Sequence, residues 1–331
     1  MNFNSNSIEG KPTTAKSCVE LLVEYRKMEV EKEIKPEGIK LKFLGVEPKD
    51  VYNITPPFLV SIEGVEIEVI AGRVEAEKDF AKSEAYFFKQ QDENTWIKID
   101  DTPFFPLEDP FVTTVNGEII FGGVRVVHLD TTIAEKDPII FNTTFYKCKN
   151  GKNLNDLEEF AVGPEGMKDI RIIDLNNGKI GVFTRPRLGE FGLGQIGYME
   201  LNDSSQITPE KLMEAKIIEG IFLDKEWGGA NQLHLLEGGK IGVIGHIACR
   251  DDDDNRHYYA TSFIFNPKTR KVERPIKLIA VRNNFPKGKT KRPDLEDVIF
   301  VGGIKKESDK WYLYAGLSDA ESGKIEIDYP F

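Results

Sequence analysis

With 331 residues, 40% of them hydrophobic and 10% aromatic, the chain is long enough to bury a large core, as one big all-β domain or two ordinary ones. A formal charge of −11 argues against a nucleic-acid partner, whose phosphates demand a broad basic surface. It leaves room for a small anion held by a local cluster of Arg and Lys. No apolar run reaches the roughly 18 residues of a membrane-spanning helix, and the polar first 14 residues lack the features of a signal peptide, so the cytoplasm is the expected address. The three cysteines, Cys18, Cys148 and Cys249, lie far apart without CxxC spacing and suggest neither a zinc site nor a disulfide framework.

In chain order, the first element is an amphipathic helix over residues 15–34, where Val19, Leu21, Leu22 and Tyr25 carry the helical period. Short strands follow, bounded by Gly, Asn, Asp and Pro. A second, short helix starts at Thr208, with Pro209 in its first turn and Glu210 behind it. The strands repeat. Residues 65–73, 117–125, 178–185, 239–246 and 310–319 each form a β-rich run ending on a polar or charged residue. Asn116-Gly117, Asn177-Gly178 and Gly238-Gly239 precede three of them and favour type I′ hairpins. Successive copies lie about 50 to 70 residues apart, enough for one four-stranded blade and a loop. Five copies predict an all-β fold, a five-bladed β-propeller over residues 41–331 with a helical extension over 1–40; a β-sandwich or barrel is the alternative.

In a propeller the inner strands converge on one mouth. The segments before them are rich in polar groups: Asp50-Val-Tyr-Asn-Ile-Thr-Pro-Pro57, Leu107-Glu-Asp-Pro-Phe-Val112, Lys168-Asp-Ile-Arg-Ile-Ile173, Trp227-Gly-Gly-Ala-Asn-Gln-Leu-His234 and Asp294-Leu-Glu-Asp-Val-Ile-Phe-Val-Gly-Gly303. Such residues are also common at strand starts as turn formers. Together they suit a hydroxyl-rich ligand, with Trp227 or Tyr52 to stack on a sugar ring.

Ala71-Gly-Arg-Val-Glu75, Glu108-Asp-Pro110, Lys168-Asp-Ile-Arg171 and Tyr314-Ala-Gly-Leu-Ser-Asp319 are similar to motifs of the β-mannoside phosphorylases of glycoside hydrolase family 130. With Asp50-Val-Tyr-Asn-Ile-Thr55 and Phe121-Gly-Gly-Val-Arg125, the chain resembles still more closely a sister group long described only as a domain of unknown function, some members of which are mannosyltransferase-phosphorylases acting on β-1,2-linked mannose oligomers. The resemblance spans roughly residues 40–325. It implies that Asp109 is the catalytic acid, protonating the glycosidic oxygen through a mannose hydroxyl while phosphate attacks the anomeric carbon from the opposite face. An inverting reaction of this kind needs one acid and a nucleophile across the ring, and anionic phosphate needs no base. Asp109 must then hold a proton near neutral pH, through burial or a neighbouring carboxylate such as Glu108, Glu75 or Asp169. Arg73 and Glu75 are expected on sugar hydroxyls, with Asn53, Asp169, Asn231, Asp297 and Asp319 completing that site. Lys168, Arg171, Arg185, Arg187 and His246 are the expected phosphate ligands.

One departure stands out: family 130 carries Arg straight after the Asp-Pro pair, and here Phe111 follows, which favours the sister group and leaves open a nucleotide-activated mannose as donor. No P-loop, dinucleotide fingerprint or Asp-x-Asp motif is present, no metal-ligand spacing involves His128, His234, His246 or His257, and no cofactor is implied. Arg125 reads as a brace between neighbouring blades, residues 251–254 as a solvated hairpin tip, and the basic stretch 287–292 as a surface loop able to lean over the mouth. A hydrolase would need a second carboxylate as base, for which Glu296 or Asp297 is available, and a sugar-binding propeller without chemistry is the remaining reading. The expected partners are a mannose-containing oligosaccharide with phosphate or a sugar 1-phosphate; neither nucleic acid nor membrane is expected, and the N-terminal helix could serve a homo-oligomer.

Overall fold

The computed structural model describes residues 15–33, 36–76, 79–128, 139–148, 152–187 and 192–331. The described residues form 21 strands and little helix, an all-β protein. Helix α1 (Cys18–Glu31) starts at a capping box in which Ser17 and Glu20 satisfy each other's backbone N–H groups. It is shorter than the expected 15–34, and Ile34 lies outside the described residues. Its buried face is Cys18, Leu21 and Tyr25, while Val19 points to solvent at 68% exposure. Helix α2 (Pro209–Leu212) is a single turn capped by Thr208, as its Thr-Pro-Glu start predicts.

Strands β1 (Ile39–Leu44), β2 (Asp50–Tyr52), β3 (Phe58–Ile62), β4 (Val65–Ala76), β5 (Asp79–Gln90) and β6 (Thr95–Lys98) open the chain. Three antiparallel sheets of four strands follow. The first is β7 (Glu108–Val115), β8 (Glu118–His128), β9 (Ile139–Cys148) and β10 (Leu157–Val162). The second is β11 (Arg171–Asp174), β12 (Ile180–Thr184), β13 (Gly197–Leu201) and β14 (Lys216–Ile217). The third is β15 (Trp227–Leu235), β16 (Ile241–Arg250), β17 (Arg256–Asn266) and β18 (Lys271–Ala280). The last strands, β19 (Ile299–Glu307), β20 (Lys310–Leu317) and β21 (Glu321–Ile327), are completed by β1, which pairs antiparallel with β21. The far half of β1 then runs parallel to β6, joining both ends of the chain into one nine-stranded sheet. Four sheets rather than two exclude a simple sandwich.

Within each sheet, strands pair with their sequence neighbours, so turn chemistry sets the register. Asn116-Gly117 (φ 51° and 79°) and Gly238-Gly239 (φ 74° and 77°) both take the left-handed backbone their sequences favour. At the third expected hairpin the positive φ values fall on Asn176 and Gly178, because the loop is longer and closes from Leu175 N–H to Lys179 C=O. Strands β4, β7, β11, β15 and β19 meet at the centre.

The apolar core is divided into five clusters, each between successive groups of strands. In the largest, Phe183, Tyr198 and Phe265 form an aromatic triad with centroids 4.7–5.6 Å apart, and α1 docks its buried face on the same cluster. Phe183→Ala is expected to cost about 3–5 kcal/mol in denaturant unfolding, whereas Val19→Ser on the open face of α1 should change stability by about 0.5 kcal/mol or less.

Candidate functional site

Where the inner strands meet, a cavity of about 240 Å³ opens. Its position follows from local breaks in the sheets. Pro110 has no N–H for the β7–β8 ladder, and the register slips between Glu108 and Phe111, turning Asp109 inward. Similar slips fall at Glu75 in β4 and Asn231 in β15. Asn53, Asp109, Asp169 and Asp319 hold left-handed backbone, with φ of 49°, 48°, 59° and 51°. Asn and Asp are the side-chain-bearing residues that best tolerate this conformation, and its gathering at one cavity marks a built site. Gly316 leaves space for Asn53: a Cβ there would come within 1.9 Å of the Asn53 Oδ1.

One half of the cavity is acidic and organised by the buried Arg73. Its guanidinium donates to Asp109 Oδ1 (3.2 Å), Glu75 Oε1 (3.3 Å), Glu108 Oε1 (2.8 Å) and Ser83 Oγ (3.1 Å), and lies over the Tyr52 ring. Asn53 Nδ2 donates to the same Asp109 oxygen at 2.7 Å. Glu75 sits behind the cavity, where the Tyr52 hydroxyl and Lys291 Nζ, 2.5 Å away, complete its shell.

The resemblance calls for a protonated Asp109, whereas the groups around it favour the carboxylate. Burial pushes its carboxyl up, but Arg73, Lys168 and the Asn53 hydrogen bond outweigh burial and hold it below the ordinary aspartate range. The carboxyls raised above their usual range are Glu108 and Asp319, by burial and then by the charge of Asp109.

The other half is basic. Lys168 and Arg185 face the cavity beside Asp169. Arg185 donates to Asp169 Oδ2 (2.9 Å) and to the carbonyls of Gly228 (2.7 Å) and Leu193 (3.1 Å), which fixes its fork. Burial alone would raise Asp169, but Arg185 and then Lys168 lower it overall, and its Oδ1 has no hydrogen-bond partner. His246 lines the same wall, with Nδ1 2.8 Å from Asn231 Oδ1. Burial, reinforced by the nearby cations, pushes the His246 pKa down to about 3, so it is neutral rather than the expected cation. The Asn231 contact places its proton on Nδ1 and leaves Nε2 as an acceptor.

Of the residues singled out from sequence, Asn53, Arg73, Asp109, Lys168, Asp169, Arg185, His246 and Asp319 line this cavity. Glu75, Asn231 and Arg171 stand behind it. Arg171 is committed to the carbonyls of Asn231 and Ile170 and stacks 4.1 Å from the centre of the Phe111 ring, with burial lowering its pKa to about 10. Phe111 thus supplies an apolar seat for Arg171. Two expected ligands lie outside the cavity. Arg187 stacks on Phe141, and Asp297 accepts from His257 Nδ1 (2.8 Å) and the Tyr259 hydroxyl (2.9 Å). Glu296 is not in the cavity wall either, so neither carboxylate considered as a hydrolytic base reaches it.

The stacking surface differs too. Tyr52 and Trp227 are buried, and Trp227 Nε1 donates to Tyr258; it is Tyr258 and Phe300, both packed on His246, that face the cavity. Arg256, Lys291 and Arg292 also line it and escaped the sequence reading as site residues. The only signal for Lys291 and Arg292 was the basic stretch 287–292, which does lean inward, tied by Lys289 to Asp50 and by Lys291 to Glu75. Arg125 braces its own sheet, through Glu159 and Tyr146, rather than two neighbours. The His128 side chain lies outside the described residues.

Fold and cavity define an all-β protein that gathers acids and cations at one central site. The chain belongs to the family described as protein of unknown function (DUF1861), which matches residues 26–331. Among solved structures it is similar to MPT-4, a mannose phosphorylase from Leishmania mexicana in complex with phosphate ion, at 33% identity and TM-score 0.81 over 94% of each chain. It is also similar to MPT-1, a GDP-Man-dependent mannosyltransferase from the same organism, at 32% identity and TM-score 0.79 over 94% of this chain and 95% of that one. A β-1,2-mannobiose phosphorylase from Listeria innocua shares the fold at 14% identity and TM-score 0.56, over 85% of this chain and 90% of that one. No curated protein sequence matches the chain.

A neutral buried His has a lower pKa folded than unfolded, so the unfolded state binds more protons and stability falls as pH drops below about 6.5. Between pH 6.5 and 5, His246 alone is expected to remove about 2 kcal/mol. His246→Gln should flatten the pH dependence of denaturant unfolding by that amount.

Proposed function

We propose that the protein is an enzyme acting on mannosides, transferring mannose to phosphate, or from a mannose phosphate to a growing oligomer, with inversion. The observation that carries this reading is the division of one cavity into an acidic half around Arg73 and Asp109 and a basic half around Lys168 and Arg185. The acidic half has acceptors for sugar hydroxyls and the basic half has donors for a phosphate, with Tyr258 and Phe300 facing the cavity beside His246. The likeness to a mannose phosphorylase and a mannosyltransferase at 33% and 32% identity supports it.

In this reading β-1,2-linked mannose is the substrate and Asp109 the acid. Asp109 starts ionised, and a phosphate dianion beside Lys168 offsets part of the positive charge that keeps it so, letting the carboxyl take up a proton as the site fills. Phosphate then attacks the anomeric carbon as the proton passes to the leaving oxygen through a mannose hydroxyl, breaking one bond and forming one. The scaffold is read as a five-bladed propeller over residues 41–331, the nine-stranded sheet being two blades joined through β1. The five apolar clusters between strand groups support that count.

The test is product analysis from β-1,2-mannobiose with and without phosphate. Mannose 1-phosphate is expected only with phosphate, and Asp109→Asn, which tolerates the left-handed backbone, should lower its rate about 10²–10⁴-fold. Free mannose without phosphate would make the protein a hydrolase. Turnover of GDP-mannose but not of mannobiose would move it to the transferases, and binding without turnover would leave a recognition protein.

A further inference from the structure

Cys18 and Cys249, 231 positions apart in a sequence with no disulfide spacing, meet in the fold. Cys18 is the first residue of α1 and is buried; Cys249, near the end of β16, is half-exposed. Both pack on one apolar cluster, and each thiol lies close enough to perturb the other. Around them lies a polar arrangement that the sugar site does not use. Cys249 stands directly across the β16–β17 ladder from His257. His257 is clamped between Asp297 Oδ2 (Nδ1, 2.8 Å) and Asp251 Oδ2 (Nε2, 3.3 Å). On the other side, Glu226 accepts from the Cys18 N–H at 2.6 Å, which sets its carboxylate beside the Cys18 thiol.

We propose that Cys18 and Cys249 form a peroxide-responsive thiol pair, in which Cys249 is the attacking sulfur, Cys18 the resolving one, and the product a disulfide that pins α1 to the β16–β17 hairpin. The two sulfurs are made unequal by their surroundings. Cys249 is half-exposed and stands opposite His257, and contact with Cys18 and then the His257 charge lower it. Cys18 is buried beside Glu226, and the same contact, burial and Glu226 raise it. The two carboxylates raise His257 and favour its cation.

In the first step the Cys249 thiolate attacks one oxygen of hydrogen peroxide. An S–O bond forms, the O–O bond breaks, and the departing hydroxide is protonated to water. In the second step the Cys18 thiol gives its proton to Glu226 and attacks the sulfenic sulfur. The S–S bond forms, the S–O bond breaks, and the hydroxide leaves with that proton as a second water. Two thiols are oxidised by two electrons and one peroxide is reduced.

The bridge would also reach the sugar site. Tyr25 of α1 donates to Asn284 Oδ1 (3.0 Å), Asn284 Nδ2 donates to Glu29 (2.8 Å), and the segment that follows carries Lys291 and Arg292 into the cavity wall.

The full chain is treated with a few-fold excess of hydrogen peroxide, then alkylated, denatured and peptide-mapped without reductant. The expected product is a peptide pair joining Cys18 to Cys249 within one chain, released by dithiothreitol. Cys148, which burial lifts to about 11 on a different sheet, should remain a thiol and serve as the internal control. In Cys18→Ala, dimedone should trap a sulfenic acid at Cys249. Full alkylation of Cys18 and Cys249 after peroxide, oxidation of Cys148 at the same rate, or a Cys249–Cys249 link between chains would each overturn the proposal. Should Cys18→Ala fail to fold, the wild-type peptide map still separates a Cys18–Cys249 bridge from these other products.

Discussion

Arg73 is asked to hold three carboxylates at once. Glu75, Glu108 and Asp109 converge on its guanidinium in a nearly dry setting, with Asp319 close by. A buried carboxylate without a partner costs several kcal/mol, and like charges at such distances repel strongly at low dielectric. The acidic half of the cavity exists because one planar cation with five donors can serve several acceptors, which a Lys could not do in the same space. The remaining strain is visible in Glu108 and Asp319, whose carboxyls resist ionisation, and in the reach of Lys291 from the basic stretch to Glu75. Opposite, Arg185 does the same for Asp169 alone, and two backbone carbonyls hold its fork in place. Fixed charges of both signs on facing walls give a ligand oriented partners without reorganisation on binding.

The backbone bears the cost of aiming these groups. Left-handed residues and slipped ladders weaken a sheet locally, yet they turn side chains from the pleat toward the centre. Short Asn and Asp side chains suit both needs, since they tolerate the conformation and reach only a little way. The cations that hold them have to be longer: Arg73 reaches from β4 to Glu108 and Asp109 of β7, and Arg185 reaches from just beyond β12 to Asp169 and the Gly228 carbonyl.

Much of this site was legible because the repeat places polar residues just before each inner strand, and strands that pair with sequence neighbours keep that order in space. Asn53, Asp109 and Asp169 follow from that logic. Arg256 and Tyr258 do not, since they come from the start of β17, the third strand of their sheet, rather than from the segment before its inner strand. Asp297 lies outside the cavity for the opposite reason. It sits two residues before an inner strand, as the logic asks, but His257 and Tyr259 draw it outward. The charge state of Asp109 was out of reach as well, because it is the balance of burial against two cations from other segments. The cysteine pair escaped because spacing along a chain says nothing about residues that a helix docks against a distant strand.

The pairing of β1 has a consequence for how the protein is made. Ile39 finds its partner Lys324 nearly at the other end of the chain, while the far half of the same strand lies on β6. Contacts of such separation are slow to form, since a long loop must close before they return any energy. At ribosomal speeds of roughly 5–20 residues per second, β1 waits on the order of tens of seconds for its antiparallel neighbour to be synthesised. Through that interval its free edge is an unpaired template for other strands. Closing the two ends of the chain is therefore the step at which a nascent molecule is most exposed to a wrong partner.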